Sequence, residues 1–333
     1  MKKSILYLSV FLFLASCGNE IKNDENKVVV EPGAEVVDTT LESSSSNKKF
    51  TTETIDTAAL VEPEIARPES EMKDLLGYWV GDFINAEEDY SKNIYVDDAF
   101  MWSRNNKINI SLDYIKDGEV EGHSVVAGND RPFTGTMTLS ERGYEITAKE
   151  PGDDKYDGEF KFTIEQDALH GTWTAYKDIE IKNRKYNLTK KEYAYDPDIN
   201  LEYSLYVNWN KSKEVKETYE YDDDEVEEWI TTQFETSTEK IYELNASNTL
   251  LTKEVVENLK RADILIIRNT IYARHGYSFK NRPLRVFFDS QSWYIPVHTD
   301  ITAEFTDIEK VNITLLLKYE ENASKYYDSF GRG

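Results

Sequence analysis

Between residues 75 and 195 apolar and polar side chains change places at nearly every step. The runs "LLGYWVGDF", "NKINISLDYI", "GEVEGHSVV", "FTGTMTLS", "GYEITAK", "GEFKFTIEQ", "LHGTWTAY" and "RKYNLTKK" all alternate, and Gly, Asp or Asn punctuates the gaps between them. A period of two belongs to a strand, whose successive side chains point to opposite faces. Roughly eight such runs at about ten-residue spacing leave few architectures, namely an antiparallel meander closed as a small barrel or folded as a sandwich. Residues 73–195 are therefore assigned to an antiparallel β-barrel-like domain.

What precedes that domain is built differently. In "MKKSILYLSVFLFLASC" two lysines lead an apolar run from Ile5 to Ala15, the pattern of a secretory signal and too short for a permanent membrane span. Leu14-Ala15-Ser16-Cys17 resembles the lipobox of bacterial lipoproteins. That resemblance implies a signal peptide over 1–17 and a palmitate-type lipid on Cys17, which would tie the chain to a membrane. Cys17 is the only cysteine of 333 residues, so a chain bound for an oxidising compartment has no disulfide to form. Gly18 and Asn19 offer no aspartate signal for inner-membrane retention, which places the anchor in the outer membrane, facing periplasm or cell surface. Residues 18–72 are rich in Glu, Asn, Lys, Ser, Thr and Val, with Phe50 as their only aromatic residue. Such a segment cannot bury enough apolar surface to offset its ordering entropy and reads as a disordered tether. Asp38-Thr39-Thr40 and Asp56-Thr57-Ala58 within it resemble O-glycosylation acceptors. The formal charge of −24 excludes nucleic acid as a partner.

Gly77-Tyr78-Trp79 is similar to the Gly-x-Trp entry strand of lipocalin-like barrels. The resemblance implies a candidate ligand pocket marked by Trp79, with Arg184 as the basic residue that caps it. Residues 196–244 form an acidic, aromatic connecting segment. "KEVKETYEYDDDEVEEWITTQFE" reads as a hairpin around Asp222-Asp223-Asp224, with Tyr219, Tyr221, Trp229 and Phe234 giving it an apolar side. The acidic run and "GDDKYDG" at 152–158 carry oxygen ligands suited to a hard cation, but neither has the spacing of a calcium loop, so both also read as solvated loops. The four histidines, His123, His170, His275 and His298, show no metal-ligand spacing. No metal or cofactor is expected.

From Asn245 onward the chain carries Arg268-Asn269, then Tyr272-Ala273-Arg274-His275-Gly276, Phe287-Phe288, Trp293-Tyr294 and Ile308-Glu309…Asn312. This ordered set resembles the YARHG domain, a bacterial extracytoplasmic module without an established activity, and assigns it to residues 245–324. The whole chain is thus an α+β multidomain protein, a β-barrel or sandwich followed by a small helical YARHG module.

The pentapeptide also has a direct physical reading. Wound as a helix, residues 264–275 place Ile264, Ile267 and Ile271 on one stripe, the core face. Arg268 and His275 fall within about 40° of Ile264 and so point inward, where polar groups need partners. Asp289 and Glu309 are candidate ion-pair partners for the arginines. His275 is the expected C-cap and Gly276 the left-handed residue after it, which pairs Tyr277 with Tyr272. Thr306-Asp307-Ile308-Glu309 forms a capping box, with Ile308, Val311, Leu315 and Tyr319 on the inner face of the helix that follows. Phe287, Phe288 and Trp293 are expected to fill the centre of the module. A structural role for the motif is preferred over a ligand surface, and that over a general acid or base at His275. The expected function is a non-catalytic binding or interaction module of the cell envelope, with an envelope protein or small ligand as partner. The alternative is an accessory or undiscovered hydrolase acting on cell-wall or peptide substrates.

Overall fold

The computed structural model describes residues 67–87, 94–96, 100–102, 105–220 and 226–327. Cys17 and its lipobox, both threonine acceptor sites and the Asp222–Asp224 run lie outside these residues. A 3-10 turn at Lys73–Leu75 leads into β1 (Gly77–Asn85). A short ladder of β2 (Ile94–Val96) and β3 (Phe100–Trp102) follows, then β4 (Asn106–Lys116), β5 (Glu119–Val126), β6 (Asn129–Ser140) and β7 (Gly143–Lys149). β8 (Gly158–Glu165), β9 (Ala168–Ala175) and β10 (Asn183–Lys191) complete the series. β4 to β10 pair in sequence, and β1 bridges β4 and β10, so eight antiparallel strands close into a barrel. The choice left open between barrel and sandwich falls to the barrel. Each alternating run corresponds to one strand.

Tight turns set the register. Asp117-Gly118 and Ala127-Gly128 both have positive φ at each central residue, the backbone that matches the right-handed twist of paired strands. Inward positions supply Trp79, Phe83, Phe133, Phe160, Phe162, Trp173 and Tyr186 together with Ile, Leu and Val. An eight-stranded barrel is just wide enough for side chains to fill, and here its inward side chains form one contiguous buried cluster. Leu75 and Leu76 pack on one end of this core, and the Leu75 carbonyl accepts the Trp79 indole N–H at 3.0 Å. Residues 67–72, read from composition as the end of the tether, lie along the barrel. Ser70 bonds both backbone groups of Ile115 at 3.0 and 3.1 Å, and the Arg67 guanidinium sits 3.4 Å from the Tyr114 ring centre.

Beyond the barrel, β11 (Val207–Glu220) and β12 (Val226–Thr236) form a separate two-stranded ribbon. The hairpin is as expected, but its single apolar side is not. Opposed pairs Glu217 with Trp229 and Ser212 with Phe234 set Trp229 and Phe234 on opposite faces, because their separation in sequence is odd. Helices α1 (Lys240–Glu243), α2 (Lys253–Val256), α3 (Arg261–Arg274), α4 (Arg282–Asp289) and α5 (Asp307–Tyr326) then build the C-terminal module. Ile264, Ile267 and Ile271 are buried in its core as their spacing predicts, and Phe287 and Phe288 share the centre with Phe279 and Tyr294. Trp293 packs only at the periphery of that core; its place at the centre goes to the adjacent Tyr294.

The module is docked on the barrel wall. Val80, facing outward from β1, meets Ile295 and Val297, with Tyr78 and Tyr193 beside them. The Gly128 N–H donates to Ser278 Oγ at 2.9 Å, and a Cβ at Gly128 would lie 2.1 Å from Lys280 Cγ. Only glycine fits this turn on both counts, its φ of +74° and its close neighbour. Asn109 sits fully buried on β4 opposite Val80, with neither side-chain amide atom hydrogen-bonded among the described residues, a local cost of the docking. Next along β4, the Lys107 N–H donates to Asp289 Oδ2 at 2.8 Å and its ammonium reaches the Gln291 and Tyr294 carbonyls. Burial raises the Asp289 carboxyl to about 7, despite opposition from the Lys107 N–H and the Arg285 charge.

That shift gives the docked interface a pH signature. A carboxyl whose proton is held more tightly in the folded chain contributes stability when protonated, and this is lost as pH rises from about 3.8 through 7. Asp289→Asn keeps an acceptor for Lys107 without the ionisable proton. Relative to wild type it should gain stability steadily as pH rises over that window and level off above it, by up to roughly 4 kcal/mol. Urea unfolding at a series of pH values checks this, and a difference that does not change with pH would contradict it.

Candidate functional site

The pentapeptide ends α3. The Gly276 N–H donates to the Ala273 carbonyl at 2.9 Å and the Tyr277 N–H to the Tyr272 carbonyl at 3.0 Å. Gly276 has φ +68°. Together these bonds make a complete Schellman closure. The Tyr272 and Tyr277 rings meet edge to face at 6.0 Å, the side-chain contact expected from the sequence. His275 is the C-cap.

From this corner the His275 ring enters the interior and is 4% exposed. Its Nε2 lies 2.8 Å from Glu309 Oε2. The same oxygen accepts the Thr306 N–H at 2.9 Å, and Oε1 accepts the Tyr195 hydroxyl at 2.9 Å. Glu309 therefore serves two structures at once: it is the return arm of the α5 capping box, as predicted from Thr306-Asp307-Ile308-Glu309, and the anchor for His275. Burial favours its protonation, yet the bonds from His275 and Thr306 hold the carboxyl below its ordinary range. An ionised carboxylate only accepts, so Nε2 of His275 carries the hydrogen. Tyr195 stacks on the imidazole at 4.2 Å and Phe305 meets its edge at 5.3 Å. Burial and the bond to Glu309 raise the Tyr195 phenol well above its usual range.

The arginines find other partners than those expected. Glu309 is occupied by His275, and Asp289 faces the barrel through Lys107. Arg268 instead pairs with Glu320 of α5 at 2.9 Å and lies over the Tyr272 ring. Arg274 donates from Nε and Nη2 to the Ile199 carbonyl, at 3.0 and 2.8 Å, and from Nη1 to Ser247 Oγ at 3.1 Å. Burial lowers its guanidinium to about 10. Asn269 donates to the Leu265 carbonyl one turn back at 2.8 Å, and Ala273 is buried in the core. The Tyr294 hydroxyl donates to the Tyr277 carbonyl at 2.7 Å.

The inner face of α5 also differs. Ile308 is 40% and Val311 55% exposed, Leu315 and Tyr319 pack against the core as expected, and the buried positions are Glu309, Asn312, Leu316 and Ala323. The helix is turned by about one residue because its polar side chains have interior duties. Asn312 accepts the Leu251 N–H and donates to the Ala246 and Thr249 carbonyls, which fixes the loop before α2. Tyr195, Ser247 and Gln291 have no place among the residues singled out from the sequence, and Asn312 stands there only as part of the family pattern.

In the barrel, Trp79 is buried, and the cation over its ring is Lys190 at 5.9 Å, not Arg184. β1 and β10 pair Trp79 with Lys190 and Asn85 with Arg184, which sets Arg184 roughly 20 Å farther along the strand. Arg184 lies over Phe83 at 4.9 Å and donates to the Phe83 carbonyl. At 152–158, Arg131 supplies the cation: it bonds Asp157 at 3.1 Å and Asp154 at 3.2 Å, while Asp157 accepts the Gly152 and Asp154 N–H groups. Among the described residues no three His, Cys, Asp or Glu side chains are grouped to hold a metal. His123 bonds Asp113, which raises its pKa, and His298 meets Tyr193 edge to face.

Two substitutions separate structural from chemical roles for the motif. A Cβ at Gly276 would meet Ile295 O, Tyr193 Cε2 and Val297 Cβ, each at 3.2 Å. Gly276→Val should therefore cost more than the roughly 1 kcal/mol of an ordinary left-handed replacement. His275→Ala removes a donor from a buried carboxylate and should cost about 1–3 kcal/mol. Exposed Lys318→Ala should change little. Urea unfolding of the whole chain measures all three; His275→Ala unfolding like wild type would show that the ring holds nothing together.

Residues 238–321 match the YARHG domain family. No curated protein and no solved structure matches the chain. The C-terminal helical module is a YARHG domain, a type found in extracytoplasmic proteins, set behind an eight-stranded antiparallel barrel.

Proposed function

We propose that this chain is a membrane-anchored lipoprotein whose folded part is a non-catalytic interaction module of the cell envelope. The observation that carries the reading is the closed state of both candidate chemical sites. The barrel interior is occupied by its own aromatic side chains, which leaves protein contact as the use of its surface. The ionisable groups of the pentapeptide are bonded inward, His275 to Glu309 and Arg274 to Ile199 and Ser247. A general acid or base must reach a substrate proton, and a C-cap imidazole stacked under Tyr195 is aimed at the core.

The anchor rests on the sequence. Leu14-Ala15-Ser16-Cys17 follows an apolar stretch, and Cys17 is the only thiol. Several acyl chains on one residue would hold the chain at a membrane, where a single chain binds only marginally. Among the described residues no helix is long and apolar enough to cross a membrane. Gly18 and Asn19 favour the outer membrane.

Growth with a labelled fatty acid tests the anchor: wild type should take up label and Cys17→Ala should not. Equal, background-level labelling of both would end the lipoprotein reading. Incubation of the purified chain with muropeptides and with unstructured peptides should leave both intact, whereas turnover abolished by His275→Gln would establish a hydrolase.

A further inference from the structure

Among the described residues the β11–β12 ribbon is held at its base. Tyr206 and Val207 are buried, Tyr206 meets Phe287 edge to face at 6.0 Å, and buried Glu235 bonds Asn208 at 2.7 Å and Arg261 at 3.2 Å. Beyond that the ribbon carries large apolar side chains into solvent, with Tyr219 51%, Trp229 50%, Val226 57% and Ile230 69% exposed. A lone two-stranded ribbon is marginal in water, and among the described residues β12 pairs with β11 alone. Resting on the reading of the chain as an interaction module, we propose that β12 is a docking edge for an extended basic segment of another protein, added beside it as a strand.

The two strands of the ribbon differ in charge. β11 sets Lys211, Lys213 and Lys216 against Glu214, Glu217 and Glu220, and lysines on an edge oppose the addition of a further strand. β12, "VEEWITTQFET", has no lysine or arginine and holds Glu227, Glu228 and Glu235. Glu227 and Trp229 share one face of the ribbon, Glu228 and Ile230 the other. Each face thus presents a carboxylate followed by an apolar side chain. An incoming strand complements both faces when two consecutive cationic residues stand opposite the glutamates and two apolar residues opposite Trp229 and Ile230. Backbone bonds to the open edge supply affinity, and the alternating side chains supply selectivity. Both glutamates already have partners, Glu228 in Lys216 at 2.5 Å, but both are exposed, and a surface ion pair contributes little and exchanges readily for another. A second copy of the chain fits poorly, since β12 laid on β12 brings no cation to either glutamate and β11 holds no two consecutive cations to set opposite both.

The probe is a synthetic peptide repeating Val-Val-Lys-Lys, with Val-Val-Glu-Glu as its twin, mixed with the full chain. The lysine peptide should bind at least about tenfold more tightly than its twin and slow amide exchange across Val226–Thr236. Glu227→Lys combined with Glu228→Lys should reverse the preference, a gain of binding to the acidic twin that a merely unfolded ribbon cannot produce. Equal affinity for both peptides, or exchange in β12 unchanged on binding, would overturn the proposal. Protection of β12 that grows with protein concentration in the absence of peptide would also overturn it, in favour of self-pairing. Cleavage of the lysine peptide would sink the non-catalytic reading instead, and exchange in β12 measured before turnover would still decide the edge.

Discussion

The carboxylate of Glu309 is the point on which the C-terminal architecture turns. It is fully buried, and it takes hydrogens from the end of α3 through His275, from the start of α5 through Thr306, and from the strand exit through Tyr195. Three chain segments far apart in sequence are thereby held within hydrogen-bond distance of one side chain. A buried negative charge is costly unless fully partnered, so each donor is required by the others. This arrangement explains the motif in physical terms. Glycine lets α3 stop where the imidazole can turn inward, and histidine is the residue at that cap with both a ring to stack and a hydrogen to give.

The second constraint is the docking of the module on the barrel. Gly128 and Ser278, Lys107 and Asp289, and Val80 with Ile295 and Val297 meet across it. The segment between the two sequence units takes part as well: Tyr193 donates to the Arg274 carbonyl, and Ile199 accepts two of the three guanidinium bonds of Arg274. Arg274, a letter of the motif, donates twice to Ile199, outside the matched region 238–321, and once to Ser247 within it. In this chain the YARHG domain is therefore completed by the strand exit and not only by itself.

What the sequence made legible and what it hid follow from the range of each interaction. Strand alternation is local, and its runs became the barrel strands because one face of each had to be buried. The Schellman closure is likewise local, fixed by Gly276 and its neighbours. The inner face of α5 was hidden because a search for apolar spacing finds Ile308 and Val311, whereas the interior needed Glu309 and Asn312 as hydrogen-bond partners. Lys190 was hidden behind Arg184 because the register of β1 on β10 decides which cation lies above Trp79. Tyr195 stacks on a ring 80 positions away, and periodicity carries no such information.

Taken together, these features divide the molecule by chemical availability. Inside, aromatic rings fill the barrel, and the polar groups of the motif are bonded to one another or to backbone. Such groups give shape and rigidity, because displacing any one strands its partners in a medium of low dielectric. Outside, the unusual features are the exposed aliphatic side chains of α5 and the ribbon of β11 and β12, where Trp229 and Ile230 stand in water on a strand that pairs, among the described residues, along one edge only. Exposed large apolar side chains on an acidic strand paired along one edge only do not help the chain fold, and they raise the hazard of unwanted pairing. A rigid interior that holds such an edge away from the body is the arrangement a recognition element requires, since an edge that moved with its scaffold would bind at the entropic cost of ordering both.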